Sequence, residues 1–184
     1  FGNLITDILK KYTKSDVMIM NSGANKNGLE EGPITRLNLY QVMPYQNTLV
    51  RLRLEGKTLL KVLENSVAWL GEDSKSFGQV SGISFRYDSS KERWNRIIKG
   101  SVRIQGKKLD RDRWYTLTVS SFIADGGDHY SVLEDGIVSG KIRIDQPWFQ
   151  HINRNVVEKY FKNHKNAIAA PPTGRAVDIS ANNS

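Results

Sequence analysis

Cysteine is missing from this chain of 184 residues, and with it go disulfides, thiol nucleophiles and thiolate metal sites. The absence leaves the compartment open, because a core of this size holds without covalent staples. Histidine is nearly as scarce. His129, His151 and His164 are scattered, with no HxxxH or DxH spacing, and each reads as an ordinary surface or helix residue. Long apolar runs are absent too: none approaches the roughly 18 residues that span a bilayer. The opening FGNLITDILKKY is broken by Asp7, Lys10 and Lys11, unlike the apolar stretch of a signal peptide. No GxGxxG follows a strand pattern and no GxxxxGKS/T occurs, which removes the main support for dinucleotide-binding and P-loop readings. Nor does any strand interleave basic and aromatic residues as RNA-binding sheets do, so a nucleic-acid partner is not expected.

What is present is ordinary globular material. Hydrophobic residues make up 39% and charged residues 25%, close to the usage of folded domains and far from that of disordered chains. The length fits one domain, read as residues 1–178 with a loose tail at 179–184. The formal charge of +8 favours anionic partners, but lysines and arginines are spread along the chain and select none by themselves. The chain opens without Met inside a helical pattern, so it reads as a piece of a longer protein or a processed chain.

Periodicity sets out the elements. Leu4, Ile5, Ile8, Leu9 and Tyr12 recur at helical spacing opposite Asp7, Lys10, Lys11 and Lys14. Val17, Met18, Ile19 and Met20 form a short apolar strand that stops at the loop NSGANKNG. A helical piece at 35–41 precedes a half-buried strand in which Val50, Leu52 and Leu54 alternate with Arg51 and Arg53. Leu59, Leu60, Leu63, Val67 and Leu70 mark a second amphipathic helix ending near Gly71. Strands are expected at 83–87, 97–104 and 114–119, with a hairpin turn at 105–107, and a last helix at 147–164 opening on Pro147 and carrying Phe149, Ile152, Val156, Val157, Tyr160 and Phe161. A surface strand is expected after Pro171 and Pro172. The order predicts an α+β (mixed α/β) fold: a layered domain with a mixed β-sheet and flanking helices.

Three loops carry the residue types that could do chemistry: NSGANK at 21–26, MPYQNT at 43–48 and SFIADGGDHY at 121–130. Singly, each is ordinary turn vocabulary. Tyr45 and Phe122 could be core aromatics, Asp128 could cap a helical turn, and Lys26 could be solvated surface. Together they match what a nucleotide presents. Two aromatics sandwich a flat ring, a carboxylate and amides hold ribose hydroxyls or ring nitrogens, and a lysine meets phosphate. Gly23, Gly126 and Gly127 let the backbone approach such a ligand with no Cβ in the way.

The ordered set GNLITD, a strand into an Asn-Gly loop, GPIT, MPYQNTLV, LEGKTLLKVLENSV, QVSGISFRYD, SFIADGGD and a late Gly-Arg resembles the carboxy-terminal domain of the 5′-nucleotidase family over nearly the whole chain. The resemblance implies a substrate-binding domain of a phosphohydrolase. Tyr45 and Phe122 then stand at the family's base-stacking positions, Tyr45 replacing the more usual Phe. Asp128 falls on the carboxylate that binds ribose hydroxyls, and Asn21 and Asn47 on amides that contact the nucleoside. The family loop NGGGIR is here NSGANK, so Ser22 and Ala24 replace glycines and Lys26 stands in for an arginine, keeping the charge without the bidentate fork. The resemblance also implies that catalysis, with two divalent metal ions, belongs to a separate amino-terminal metallophosphoesterase domain, with no catalytic or metal-binding residue in this chain. It further implies an extracellular, cell-surface or periplasmic location. The other reading is a secreted or surface binding protein that has kept the fold and lost hydrolysis.

Overall fold

The computed structural model describes residues 1–26, 28–164 and 166–180, with 146–150 described by backbone alone. Helix α1 (Gly2–Thr13) leads into strand β1 (Val17–Asn21), and α2 (Arg36–Val42) is followed by β2 (Thr48–Glu55) and α3 (Gly56–Ala68). Then come β3 (Gly78–Ser81), β4 (Ile83–Tyr87), β5 (Arg103–Ile104), β6 (Lys107–Lys108) and β7 (Trp114–Ser120). The chain closes with α4 (Ser121–Ala124), α5 (Ser131–Val138), β8 (Arg143–Ile152), α6 (Asn153–Asn163) and β9 (Ala176–Asp178). A five-stranded sheet has the order β3-β1-β7-β2-β8 and a four-stranded sheet the order β6-β5-β4-β9. The fold is mixed α/β, as expected.

The apolar run of β1 is explained by burial on both faces. Val17 and Ile19 join one core with Val50, Leu52, Leu54, Leu59 and Leu117, while Met18 and Met20 point the other way, into a second core with Ile5, Leu9, Leu39, Leu49 and Val157. A strand inside a sheet covered on both sides has no reason to alternate. Each fully buried Leu or Ile contributes about 1.5–3 kcal/mol relative to exposure, so these two cores hold the sheet that carries the candidate loops. Thr35 caps α2 in a reciprocal box with Asn38. The hairpin turn at Gln105 and Gly106 has positive φ at both positions (49° and 81°), the geometry a two-residue connection demands.

Three expectations are corrected. Residues 147–152, expected as the first turns of the last helix, belong to strand β8: it pairs antiparallel with β2, Val50 opposite Pro147, and α6 starts only at Asn153. β8 is the outer strand of its sheet, where a residue without an N–H is tolerated, so Pro147 sits in a strand and does not open a helix. Phe149 falls where only backbone is described. The strand expected at 97–104 is interrupted, with a lone bridge at Ile97, a left-handed turn at Gly100 (φ 73°) and pairing resumed only at Arg103. The strand expected at 83–87 is β4, and the QVSGISFRYD motif, one strand in the family resemblance, is here divided at Gly82 (φ 78°) into β3 and β4 of different sheets. Ile179 and Ser180, expected in the tail, donate backbone hydrogen bonds to the Tyr87 carbonyl and to Asp178, and residues 181–184 lie outside the described residues, as does Asn27 of the first loop.

Candidate functional site

Strand direction brings the three loops together. β1 runs parallel to β7, Val17 opposite Leu117, so Asn21 and Ser120 end at the same edge of the sheet. β2 is antiparallel to β7 with Leu49 opposite Ser120, so the loop that enters β2 opens at that edge too. The backbone N–H of Thr48 donates to Ser121 Oγ at 3.2 Å, tying the loop of Tyr45 to that of Phe122. The ends of sheet strands, where loops are free to vary over a rigid support, are a common place for ligand sites.

Asn21 is only 3% exposed. Its Nδ2 donates to Asp128 Oδ2 at 2.6 Å, and its Oδ1 is buried with no hydrogen-bond partner among the described residues. A buried acceptor left unsatisfied is costly, and here it lies beside a carboxylate at the edge of the sheet. Gly23 packs directly on this pair, since a Cβ there would stand 3.3 Å from both Asn21 Nδ2 and Asp128 Oδ2. Ser22 anchors the same loop, with its N–H and its hydroxyl both donating to the Phe77 carbonyl, at 2.8 and 3.0 Å.

Tyr45 and Phe122 are not core residues: they are 47% and 42% exposed. The aromatic that fills the core here is Tyr130, fully buried, its hydroxyl donating to the Ser76 carbonyl at 2.9 Å. Burial pushes the Tyr130 phenol well above its ordinary range, with the Asp128 charge adding in the same direction. The Phe122 ring lies against Gly127, where a Cβ would come within 2.5 Å of Cζ. Gly126 is left-handed (φ 83°) and faces Glu134. Asp128 itself is left-handed (φ 49°), as is His129 (φ 68°). The Asp128 carboxylate accepts from the Asn21 amide, and among the described residues it shows no bond to the backbone of its own turn.

Lys26 is exposed, and its Nζ stands 5.3 Å from the centre of the Tyr45 ring, within cation–π range. Asn47 is half-buried, and its carbonyl accepts from the Asn153 N–H at 2.9 Å. Every candidate residue is therefore in one of the three converging loops.

Two supports of this end were not read from the sequence. Arg154 of α6 is 4% exposed. Its Nη1 donates to the carbonyls of Met43 and Pro44, at 2.8 and 3.2 Å, and its guanidinium stacks on Tyr40 at 3.7 Å. It thus fixes the loop that presents Tyr45. The His129 ring stacks on Trp69 with centroids 4.0 Å apart and planes at 21°, bracing the turn next to Asp128 from the end of α3. Arginine at an amphipathic helix start and tryptophan at a helix end carry no local signal for such roles.

Among the described residues no group of three or more His, Cys, Asp or Glu side chains is placed to hold a metal ion. The side chains present do not fit a dinuclear centre, and no chemical step is assigned to them. No helix is long and apolar enough to cross a membrane among the described residues.

Fold and loops together define a mixed α/β domain with ligand-type side chains at one sheet edge. Residues 1–135 match the family described as "5'-nucleotidase, C-terminal domain", and the chain belongs to that family. The mouse 5′-nucleotidase is 30% identical over 156 residues, covering 74% of this chain and 27% of that protein. The Vibrio vulnificus 5′-nucleotidase is 35% identical over 132 residues, covering 72% and 22%. The solved 5′-nucleotidase precursor of Thermus thermophilus superposes with a TM-score of 0.83 at 30% identity, over 96% of this chain and 34% of that one. The Haemophilus influenzae NAD nucleotidase, at 19% identity and a TM-score of 0.82, shares the fold. The chain spans about a quarter of the length of the curated relatives it matches.

Proposed function

We propose that this chain is the nucleotide-binding domain of a 5′-nucleotidase-type phosphohydrolase. It holds the nucleotide while a separate amino-terminal metallophosphoesterase domain, with two divalent metal ions, hydrolyses the phosphate ester. The observation that supports the reading is that strand register brings the loops of the half-exposed Tyr45 and Phe122 to the same edge of the five-stranded sheet as the Asn21–Asp128 pair. In this arrangement the base stacks on Tyr45 and Phe122. Asp128 accepts from ribose hydroxyls, Asn21 Oδ1 and the Asn47 amide meet polar atoms of the nucleoside, and Lys26 supplies charge on the phosphate side. Gly23, Gly126 and Gly127 keep the loops close enough to do so. The location follows the family resemblance: outside the cytoplasm, secreted, at the surface or in the periplasm.

Calorimetric titration of this chain with a panel of nucleosides and nucleoside monophosphates tests the reading. Binding is expected, and Phe122→Ala is expected to weaken it by about 1–3 kcal/mol, the usual worth of one base–aromatic stack. Equal affinity in wild type and Phe122→Ala would remove the stacking role.

A further inference from the structure

We propose that the outer face of the four-stranded sheet is a second site, distinct from the nucleotide edge, that binds a compact anion made of linked phosphate groups. A trough open to solvent, with a volume of about 480 Å³, lies on this face. Strand alternation builds it: Ile83, Phe85 and Tyr87 of β4 turn into the core, which leaves Ser84 and Arg86 on the outside. Lys99, Ser101 and Arg103 line the cavity from the segment that folds back along β4, and Val177 closes it from β9. The cavity shares no residue with the loops at 21–26, 43–48 and 121–130.

Charge decides what the site takes. Three of the lining residues are cations and none is a carboxylate. A fourth cation, Lys108, is at the rim, its Cε 3.9 Å from where a Cβ on Gly100 would stand. Arg36, Arg51, Lys57, Arg93, Lys162 and Arg175 all stand within ion-pair distance of a carboxylate. No such pair involves Arg86, Lys99, Arg103 or Lys108 among the described residues. The four are spread over residues 86–108 of the chain, and it is the return of the chain along β4 that gathers them. An unrelieved cluster of like charge is unfavourable to the compact state and attracts counter-charge.

The cluster is also partly pre-organised. Arg103 Nη1 donates to the carbonyls of Gly100 and Val102, at 2.6 and 3.1 Å, so the guanidinium plane is held with its remaining N–H groups uncommitted among the described residues. Ser101 Oγ accepts from the Arg86 N–H at 3.1 Å and donates to the Arg86 carbonyl at 3.2 Å, locking the two cation-bearing segments side by side. A guanidinium held by carbonyls and flanked by ammonium groups suits phosphate oxygens, and several cations in one trough favour linked phosphates over a single one.

The test is calorimetry of this chain with inorganic tripolyphosphate and with orthophosphate at low salt. Tripolyphosphate is expected to bind at least about tenfold more tightly than orthophosphate, and raised salt is expected to weaken it. Arg86→Ala with Arg103→Ala should lower tripolyphosphate affinity at least about tenfold. Lys99→Gln with Lys108→Gln, which leaves the Arg103 carbonyl contacts untouched, should lower it as well. Lys26→Ala and saturating nucleoside should leave it unchanged. The proposal is overturned if both double variants bind tripolyphosphate as the wild type does, if orthophosphate binds equally well, or if Lys26→Ala abolishes the binding.

Discussion

The side-chain amide of Asn21 donates to Asp128 Oδ2 at 2.6 Å, joining the last residue of β1 to the turn that follows β7. Both groups stand at the same sheet edge because their strands are parallel neighbours. The amide engages one carboxylate oxygen, and under the proposed function the other meets ribose. Asp128→Ala is expected to weaken a ribonucleoside by about 1–3 kcal/mol, the usual cost of losing a charged hydrogen-bond partner. A 2′,3′-dideoxynucleoside should be nearly unaffected. Equal losses for both ligands would show that Asp128 supports the loop and does not touch ribose.

Gly127 tests the placement of Phe122 without removing the ring. A Cβ at 127 would stand 2.5–2.6 Å from three atoms of the Phe122 ring, too close for any real contact, so Gly127→Ala must displace the ring. Nucleoside affinity is expected to fall about tenfold, or 1.4 kcal/mol, with little change in melting temperature because the ring is half-exposed and free to swing outward. Unchanged affinity would mean that the base does not use this face of Phe122.

Arg154 should matter to both stability and binding. It is buried against two carbonyls and the Tyr40 ring. Arg154→Met keeps most of the stem and loses those bonds, for an expected destabilisation of about 2–3 kcal/mol in denaturant titration. Nucleoside affinity should fall with it, since the carbonyls that lose their donor belong to the loop of Tyr45. A destabilised variant with full affinity would separate the two roles.

Alkaline pH should loosen the region beneath the site. Tyr130 is buried as a neutral phenol and its folded pKa is raised, so below the unfolded value of about 10 its stabilising effect is fully present. As pH rises above that value the unfolded chain loses a proton that the folded chain keeps, and stability declines. Tyr87 shifts in the same direction for the same reason, burial. Tyr130→Phe should be less stable at neutral pH, having lost the bond to Ser76, and should show a shallower decline above about pH 10. An identical alkaline slope in the variant would assign the effect to other groups.

Much of this arrangement was legible in the residues. The uninterrupted apolar run of Val17, Met18, Ile19 and Met20 announced a short buried strand, and the three loops rich in Gly, Asn and aromatics are the ones that lie at one sheet edge. What was not legible depends on partners remote in sequence. Arg154 acts on Met43, 111 residues away, and no helical pattern marks such a contact. Pro147 carries the signal of a helix start, yet it lies in an outer strand because β2 offers a partner for 143–152. The break at Gly100 defeated a strand that its β-branched neighbours supported. The position of Lys26 Nζ over the Tyr45 ring was not legible either, being set by how one loop folds onto the next.

The most direct test of the central claim is a nuclear magnetic resonance titration of this chain with a nucleoside, following backbone amides and aromatic ring protons together. Shifts are predicted to concentrate at residues 21–26, 43–48 and 121–130, with the Tyr45 and Phe122 ring signals moving together as the base enters between them. Shifts confined to the four-stranded sheet, or ring signals of Tyr45 and Phe122 that stay fixed while the nucleoside binds, would contradict it.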